Sequence, residues 1–289
     1  DKFKQKLNKE LKEKLNEIKS VSLTCYLKGA YKLTGIPEEI SIKNLNHSFP
    51  DQRGSPLKVL ENINIVIQSG EFAALIGPSG CGKSTLLKIL CGLLQPSAGS
   101  VRLGEEGISS VLSKKEIAWL AQNPALLPWK TVLENVSLVH KINPHNKAPS
   151  FSPQNLLELV DLKGFIDVYP HTLSGGMQQR VALARTLALG ANIWLMDEPF
   201  AALDELTRET LINEILHLRH HFHPTTLWVS HHIYECVHLA DRVLVMSSRP
   251  AHITDNVVID LPRPRDESSP EFQDIVNHLR HTIKCSNLT

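Results

Sequence analysis

The stretch GPSGCGKSTLL, residues 77–87, combines three glycines with a lysine and two adjacent hydroxyl residues directly after the apolar run FAALI. Glycines let a loop curl until successive backbone N–H groups point at one spot, and a following helix adds its unpaired N-terminal donors and the positive end of its dipole. Lys83 can reach terminal phosphates, and the Ser84 hydroxyl can ligate Mg²⁺. The spacing from Gly77 to Ser84 fits G-x-x-x-x-G-K-[ST] and predicts a phosphate-binding loop between a strand and a helix.

Two acids follow a second apolar run, in the sequence IWLMDEP. If this run is a strand beside the phosphate loop, Asp197 can hold Mg²⁺ directly or through water, and Glu198 can polarise an attacking water. An acidic residue at a strand end can equally be the N-cap of a helix, so the pair alone leaves both interpretations open.

A second loop of serine and glycine, LSGGMQQR at residues 173–180, also precedes a helical run. It predicts a second helix N-terminus that can bind an anion. One nucleotide needs only one such loop from a chain. A head-to-tail pair of chains would use both, because the second loop of each chain would close on the γ-phosphate held by the other.

The elements that must position these residues alternate between strands and helices. ISIKNLNHSF and NINIVI alternate apolar and polar side chains, and IWLM, TLWV and VLVM are short apolar runs, so all of them indicate strands. Residues 124–175 carry more helix-type patterns, such as VLENVSLV and SPQNLLELV. Strands that alternate with helices predict an α/β fold with a mostly parallel sheet.

Composition limits the classes of function. The chain has 289 residues, 42% of them hydrophobic, which is enough for one large domain or two modest ones. A net charge of +1 gives no general attraction to nucleic acid. Without an apolar run of 18 residues or an apolar leader, neither a membrane span nor a secretory signal is expected. The five cysteines have no paired spacing, which is typical of proteins of the reducing cytosol.

Two segments offer further interpretations. Residues 1–20 carry seven lysines and four acids, with apolar side chains on one helical face. Such a helix can lie on a membrane or a partner, but a solvated amphipathic extension is favoured. Four histidines between positions 217 and 223 lie near Pro224, and a solvated turn is favoured there over a metal site.

The motifs, in their order along the chain, resemble those of the ATP-binding subunit of an ABC transporter, over about residues 40–250. GPSGCGKST is similar to the Walker A motif of that family, LSGGMQQR to its signature and IWLMDEP to its Walker B motif. AALD, which ends in Asp204, resembles the D-loop. Gln122 in AWLAQNPALLPW resembles the Q-loop glutamine, and His231 in WVSHH resembles the switch histidine. Phe49 stands where the family places an aromatic ring on the adenine.

The resemblance implies a P-loop NTPase (RecA-like) core with an antiparallel β subdomain and an inserted α-helical subdomain at about residues 124–175. It implies that residues 39–250 form the ATP-binding domain. Residues 1–38 are then an N-terminal basic helical extension, and residues 251–289 are a short C-terminal tail.

ATP and Mg²⁺ are the implied cofactors, and the matching positions take the roles of the family. The implied catalytic residues are Glu198, His231, Gln122 and Lys83. The implied Mg²⁺ ligands are Ser84, Gln122 and Asp197. The implied nucleotide-binding residues are Phe49, Gly77, Pro78, Ser79, Gly80, Cys81, Gly82, Lys83, Ser84, Thr85, Ser174, Gly175, Gly176 and Asp204.

Three positions depart from the common pattern of the family. Met177 stands where many relatives carry glutamine, His232 stands where an aspartate commonly follows the switch histidine, and Phe49 replaces a common tyrosine. None of these changes removes a group that the chemistry needs.

The phrases LLPWKTVLENV, EPFAALDELTR and VMSSRPAHI resemble the nitrate/sulfonate/taurine import group of the family. This resemblance implies a second ATP-binding subunit in a head-to-tail dimer, transmembrane permease subunits, and indirectly an external solute-binding protein, with no nucleic acid. It implies a peripheral location at the cytoplasmic face of the inner membrane. The alternative is a soluble ABC-type ATPase acting on ribosomes or DNA. Such proteins usually carry two cassettes or a long coiled coil, whereas this sequence has one signature motif and no sustained heptads.

Overall fold

The computed structural model of the chain describes residues 39–50, 54–142 and 152–286, so the helix expected at residues 1–20 lies outside the described residues. The strands are β1 Ile40–Phe49, β2 Leu57–Ile67, β3 Phe72–Ile76, β4 Ala98–Leu103, β5 Glu106–Gly107, β6 Ile117–Leu120, β7 Ile193–Asp197, β8 Thr225–Val229, β9 Arg242–Met246 and β10 Ile253–Val258. The α-helices are α1 Lys83–Leu90, α2 Ile108–Lys114, α3 Val132–Val136, α4 Leu138–Ile142, α5 Pro153–Leu159, α6 Gly175–Leu187, α7 Glu205–Phe222, α8 Ile233–Leu239 and α9 Pro270–Ser286.

The two alternating segments form β1 and β2, which join β4 and β5 in a four-stranded antiparallel sheet of order β2-β1-β4-β5. Ile42 of β1 pairs with Ile65 of β2, and both side chains are buried. They share one apolar cluster with Leu86 and Leu87 of α1 and with one face of the larger sheet. The small sheet therefore helps to hold the helix that follows the phosphate loop.

The larger sheet has the order β10-β9-β3-β8-β7-β6. Strands β9, β3, β8, β7 and β6 are parallel, and β10 pairs with β9 in the antiparallel sense. The carboxyl ends of β3, β7 and β8 consequently meet at one edge, where α/β proteins place ligands. The predicted α/β fold with a mostly parallel sheet and an antiparallel β part is confirmed.

Short helices occupy the stretch between β6 and β7, as the sequence patterns predicted. Helix α3 begins with a capping box, in which Thr131 caps Glu134 and the Glu134 side chain accepts from the backbone of Thr131. Helix α5 and two 3₁₀ turns, Lys163–Phe165 and Pro170–Thr172, follow before α6. Leu156, Leu157 and Val160 join the core cluster that contains α6.

The residues after position 250 complete the sheet and the core. Strand β10 extends the larger sheet, and Phe272, Val276 and Leu279 of α9 are fully buried in the main cluster. The guanidinium of Arg265 donates to the backbone carbonyls of Val237 and Ala240 near the end of α8. The domain boundary at about residue 250 stays a prediction. In the described parts of the chain, no helix is both long and apolar enough to cross a membrane.

Candidate active site

The phosphate loop connects the end of β3 to the start of α1, as predicted. Lys83 is 7% exposed, and its Nζ donates to the carbonyl oxygens of Gly77 and Pro78, both at 2.8 Å. Gly82 has a φ of 130°, and a Cβ at this residue would lie 2.8 Å from Leu60 Cδ2. The lysine thus lies across the curl of the loop, and only glycine suits the backbone at its base.

Asp197 lies at the end of β7, beside the start of α1. Its side chain is buried, and burial raises the pKa of the carboxyl while its hydrogen bond with Ser84 opposes that rise. The nearby charge of Glu198 raises this pKa further, and that of Lys83 lowers it. A buried carboxylate next to a hydroxyl offers two hard oxygen ligands. Mg²⁺ prefers ligands of this kind, so the pair fits this ion.

Glu198 lies next to two other residues of the predicted site, His231 and Gln122. Its Oε2 lies 3.3 Å from His231 Nδ1 and 3.4 Å from Gln122 Nε2. The backbone N–H of Glu198 donates to Val229 at 2.9 Å, and its φ is +50°, in the left-handed region. Such a conformation is uncommon for a residue other than glycine and is concentrated at functional sites.

The loop after β8 carries two adjacent histidines. The rings of His231 and His232 lie 4.2 Å apart, and the His231 side chain is 48% exposed. Burial lowers the pKa of His232, and the neighbouring charges of His231 and Arg208 lower it further. The backbone N–H of His232 donates to Ser230 Oγ at 3.0 Å, which fixes the loop next to Glu198.

The signature loop and the D-loop lie against each other. Ser174 caps α6 by accepting from the backbone N–H of Met177 at 3.3 Å. A Cβ on Gly176 would lie 2.7 Å from the carbonyl oxygen of Ala202, so the two loops are in close backbone contact. Asp204 caps α7 by accepting from Thr207, and this backbone hydrogen bond lowers the pKa of Asp204.

The remaining predicted positions are placed by the same elements. Phe49 ends β1 with 36% exposure, and its ring meets that of His47 edge to face at 4.7 Å. Cys81 is buried within the phosphate loop. Pro78, Ser79 and Gly80 lie in the loop between β3 and α1, and Thr85 lies in the first turn of α1. The roles of all these residues toward a nucleotide or metal stay predictions.

Two residues that the sequence reasoning missed hold the Q-loop region. Arg185 of α6 donates to the carbonyl oxygens of Pro124 at 2.6 Å and Ala125 at 3.0 Å. Asn135 is fully buried, and its amide bonds to the backbone of residues 127–131. Trp129 remains 69% exposed at the tip of this loop. A single asparagine inside the apolar run of α3 was the feature that could have revealed this role.

The comparisons with known proteins agree with this geometry. The family model described as "ABC transporter" matches residues 60–201. An uncharacterised ABC transporter ATP-binding protein of Methanocaldococcus jannaschii is 42% identical over 248 residues, which are 85% of this chain and 91% of that protein.

Two further relatives are named by their solutes. The aliphatic sulfonates import ATP-binding protein SsuB of Bacillus cereus is 40% identical over 236 residues, covering 82% of this chain and 92% of that protein. The bicarbonate transport ATP-binding protein CmpD of Synechocystis is 39% identical over 232 residues, covering 78% and 81%.

Among solved structures, the dimeric post-hydrolysis state of the ATP-binding cassette MJ0796, bound to ADP and Pi, matches with a TM-score of 0.69 at 29% identity. The match covers 77% of this chain and 100% of that chain. The site geometry, the family model and the extent of these similarities lead to one conclusion: the chain belongs to the family of ABC transporter ATP-binding proteins and is an ATPase.

Proposed function

We propose that this ATPase powers the import of a small solute, an anion such as nitrate, a sulfonate or taurine, through separate membrane subunits. The relatives named for sulfonates and bicarbonate support a small anionic solute. The observation that carries the mechanism is the meeting of Glu198, His231 and Gln122 at the edge where the phosphate loop begins. Hydrolysis there depends mainly on positioning and charge stabilisation.

The phosphate loop provides the first part of the mechanism. The Lys83 ammonium now donates to two backbone carbonyls, and phosphate oxygens would replace these acceptors when ATP binds. Ser84 and Asp197, with Gln122, would hold Mg²⁺, which supplies neutralising charge on the phosphate oxygens. Phe49 offers an exposed ring on which the adenine can stack.

Glu198 and His231 provide the second part. Glu198 acts as the base that orients and polarises water, and its left-handed backbone aims the carboxylate across the loop toward His231. His231 contacts the γ-phosphate from the other side. Gln122 donates to the carboxylate of Glu198 and stands at the start of the loop that carries Trp129, so as a metal ligand it would connect the metal site to that loop.

A second copy completes the site. Ser174 and Gly175 are exposed at the start of α6, so they can face another chain. In a head-to-tail dimer, the signature loop of each chain would close on the γ-phosphate held by the other, and Asp204 of the neighbouring D-loop would lie at the same interface. The dimer of the cassette MJ0796 supports this arrangement.

The loop at residues 122–129 is the proposed contact with the permease, at the cytoplasmic face of the membrane. Asn135 fixes its shape, Trp129 presents an exposed ring, and Gln122 at its start touches Glu198. A short cytoplasmic helix of the permease could contact this loop. Movement of the loop would then reach the carboxylate of Glu198 through Gln122. A cysteine at Leu127 or Trp129 should therefore crosslink to a membrane subunit.

Glu198→Gln tests the role of the base. The substitution keeps the size of the side chain and removes its charge, so hydrolysis should fall by about 10²-fold or more while ATP still binds. The closed dimer should then persist with ATP, because its exit step is slowed. Phosphate release and light scattering with and without MgATP measure the two effects.

Glu271→Gln, an exposed change on α9, is the matched control and should behave as the parent. Parental hydrolysis in Glu198→Gln would remove Glu198 from the role of base. For the transport role, co-purification with a membrane subunit is the expected result, and capture by ribosomes or DNA instead would favour the soluble alternative.

A further inference from the structure

The turn that connects β9 to β10 lies against the phosphate loop. A Cβ on Gly77 would lie 2.9 Å from the carbonyl oxygen of Met246, the last residue of β9. A Cβ on Gly80 would lie 3.7 Å from Nη2 of Arg249, at the tip of the turn. That distance is ordinary van der Waals contact, so the guanidinium group of Arg249 lies beside the middle of the phosphate loop.

Hydrogen bonds fix this turn at both of its ends. The N–H of Ser247 donates to the carbonyl oxygen of His252 at 3.0 Å, and the N–H of His252 donates to Ser247 Oγ at 3.0 Å. The N–H of Ala251 donates to the carbonyl oxygen of Val59 on β2 at 2.9 Å. A Cβ on Gly82, at the base of the phosphate loop, would lie 2.9 Å from Cγ1 of the same valine. One strand therefore holds both the turn and the loop, which keeps the tip of the turn next to the loop.

Arg249 has donors to spare. Its side chain is exposed, and it forms no hydrogen bond or ion pair with any residue that the structure describes. By contrast, Arg242 at the start of β9 forms an ion pair with Glu71 at 2.7 Å. A guanidinium group carries five N–H donors in a planar fork that matches the oxygens of a phosphate. The donors of Arg249 are thus available to an anion that enters the loop.

The order of the strands separates Arg249 from the acidic residues of the site. In the larger sheet, β9 adjoins β3 on one side, and β8 and then β7 follow on the other side. Arg249 follows β9, whereas Asp197 ends β7 and Glu198 comes directly after it. A phosphate chain in the loop would therefore have the metal site on one side and an unpaired cation on the other. Charges placed in this way stabilise a polyanion from both sides.

We propose that Arg249 is a substrate-binding residue of this ATPase: its guanidinium group binds an oxygen of the phosphate chain of ATP, from the side of the phosphate loop opposite to the metal site. The inference rests on the phosphate-binding role proposed above for this loop. It adds to the buried Lys83 a second, exposed cation on the same loop.

Arg249→Gln is the first test, with ATP affinity measured by calorimetry at about 0.05 M salt, where charges are weakly screened. The variant should bind ATP about five- to tenfold more weakly, because a charge-assisted hydrogen bond at an exposed site is lost. Arg102→Gln removes the same charge from an exposed residue of β4. This matched control should bind ATP as the parent does. Parental affinity in Arg249→Gln would overturn the proposal.

Raising the salt concentration distinguishes a contact between charges from packing. The ratio of the dissociation constants of Arg249→Gln and the parent should fall to about twofold at about 0.5 M salt, because screening weakens an exposed ion pair. A ratio that stayed the same from low to high salt would show that Arg249 acts by packing. That result would also overturn the proposal.

Chemical modification reports the contact directly. Phenylglyoxal reacts with exposed arginines, and mass mapping of peptides gives the rate at each site. Saturating MgATP should slow the reaction at Arg249, because the guanidinium group is then bound to phosphate. The rate at Arg102 should not change. Equal rates at Arg249 with and without MgATP would contradict the contact and overturn the proposal.

A second copy of the chain could also shield Arg249 or bind it through an acidic side chain. Both measurements are therefore repeated in Ser174→Arg, which is expected to bind ATP as a single chain. The weaker affinity and the slower modification should persist there. If both effects disappeared in that variant, Arg249 would contact the second copy and the proposal would be wrong.

Lys83→Ala separates the failure of this inference from the failure of the role proposed for the loop. If Lys83→Ala bound ATP with normal affinity, the phosphate-binding role of the loop itself would be wrong. If Lys83→Ala bound ATP weakly while Arg249→Gln bound it normally, only the role of Arg249 would be wrong. Weak binding in both variants, with normal binding in Arg102→Gln, is the expected result.

Discussion

Two helices of this chain begin at glycine-containing loops that are expected to meet a nucleotide, and they are built differently. At α1 the N-cap is Gly82, which makes no side-chain cap and has a φ of 130°. At α6 the N-cap is Ser174, whose Oγ accepts from the N–H of Met177. The lysine of the first loop is buried, whereas Ser174 and Gly175 are exposed.

The difference indicates where each N-terminus finds its ligand. The first turn of α1 has no side-chain acceptor of its own, so its backbone donors remain for a phosphate held inside the fold. The first turn of α6 is already capped, and its exposed serine retains an O–H that can donate outward. The first loop suits a ligand bound by its own chain, and the second suits one presented by a neighbour.

The largest effect is expected from removing the buried cation of the first loop. Lys83→Ala should reduce ATP hydrolysis by at least about 10²-fold, because a charge aimed at the terminal phosphates is lost from a buried site. Nucleotide binding, measured by calorimetry, should weaken as well. Lys88→Ala, an exposed change on the same helix, should leave both unchanged. Normal nucleotide affinity in Lys83→Ala would contradict the assignment of the first loop.

The second loop can be tested by mixing two inactive variants. Ser174→Arg should still bind ATP as a single chain but should not hydrolyse it, because the arginine blocks the neighbouring site. A mixture of this variant with Lys83→Ala forms dimers in which one composite site is intact. An equal mixture should recover about a quarter of the parental activity, from one of two sites in half of the dimers. No recovery would show that both loops serve the same chain.

The sequence predicted both loops because glycine, serine and lysine at fixed spacing have few structural uses. It also predicted the strands that hold them, since FAALI, IWLM and TLWV are apolar apart from Thr226 and prove to be buried on both faces. Helix α1 is shorter than its apolar run suggests. It ends at Leu90, because Gly92 adopts a φ of 69° and closes the turn.

Contacts between residues far apart in the sequence could not be predicted from local patterns. Glu235 looks like an ordinary polar residue of a surface helix, and only the packing of α8 over Trp228 turns it inward. The same holds for Arg265, whose buried guanidinium bonds to the backbone of a helix more than 20 residues away. Local patterns describe which groups a segment carries, whereas burial of a charge depends on what covers it.

A smaller effect is expected from the glycines of the second loop. Gly176→Ala should lower the free energy of unfolding by about 1–3 kcal/mol, because its Cβ would meet the Ala202 carbonyl at 2.7 Å. Gly175→Ala is the matched control, because no atom lies within 4 Å of a Cβ there. It should leave stability unchanged or raise it by up to about 1 kcal/mol. Equal losses in urea unfolding would mean that the contact with the D-loop is not formed.

The smallest effect on stability is expected at Ser174, the N-cap of α6. Two substitutions there separate its role as a cap from its contact with a nucleotide. Ser174→Ala should lower stability by about 0.5–1 kcal/mol, because the N–H of Met177 loses its acceptor. Ser174→Asp should keep the cap, since aspartate is as good an N-cap as serine and its charge favours a helix N-terminus. The same carboxylate would face a γ-phosphate in the dimer and repel it, so Ser174→Asp should be as stable as the parent and yet fail to hydrolyse ATP. Urea unfolding and phosphate release on the two variants measure stability and hydrolysis independently. A stable Ser174→Asp that hydrolysed at the parental rate would mean that the exposed serine caps its own helix and contacts no nucleotide, and the difference between the two helix N-termini would then lie in folding alone.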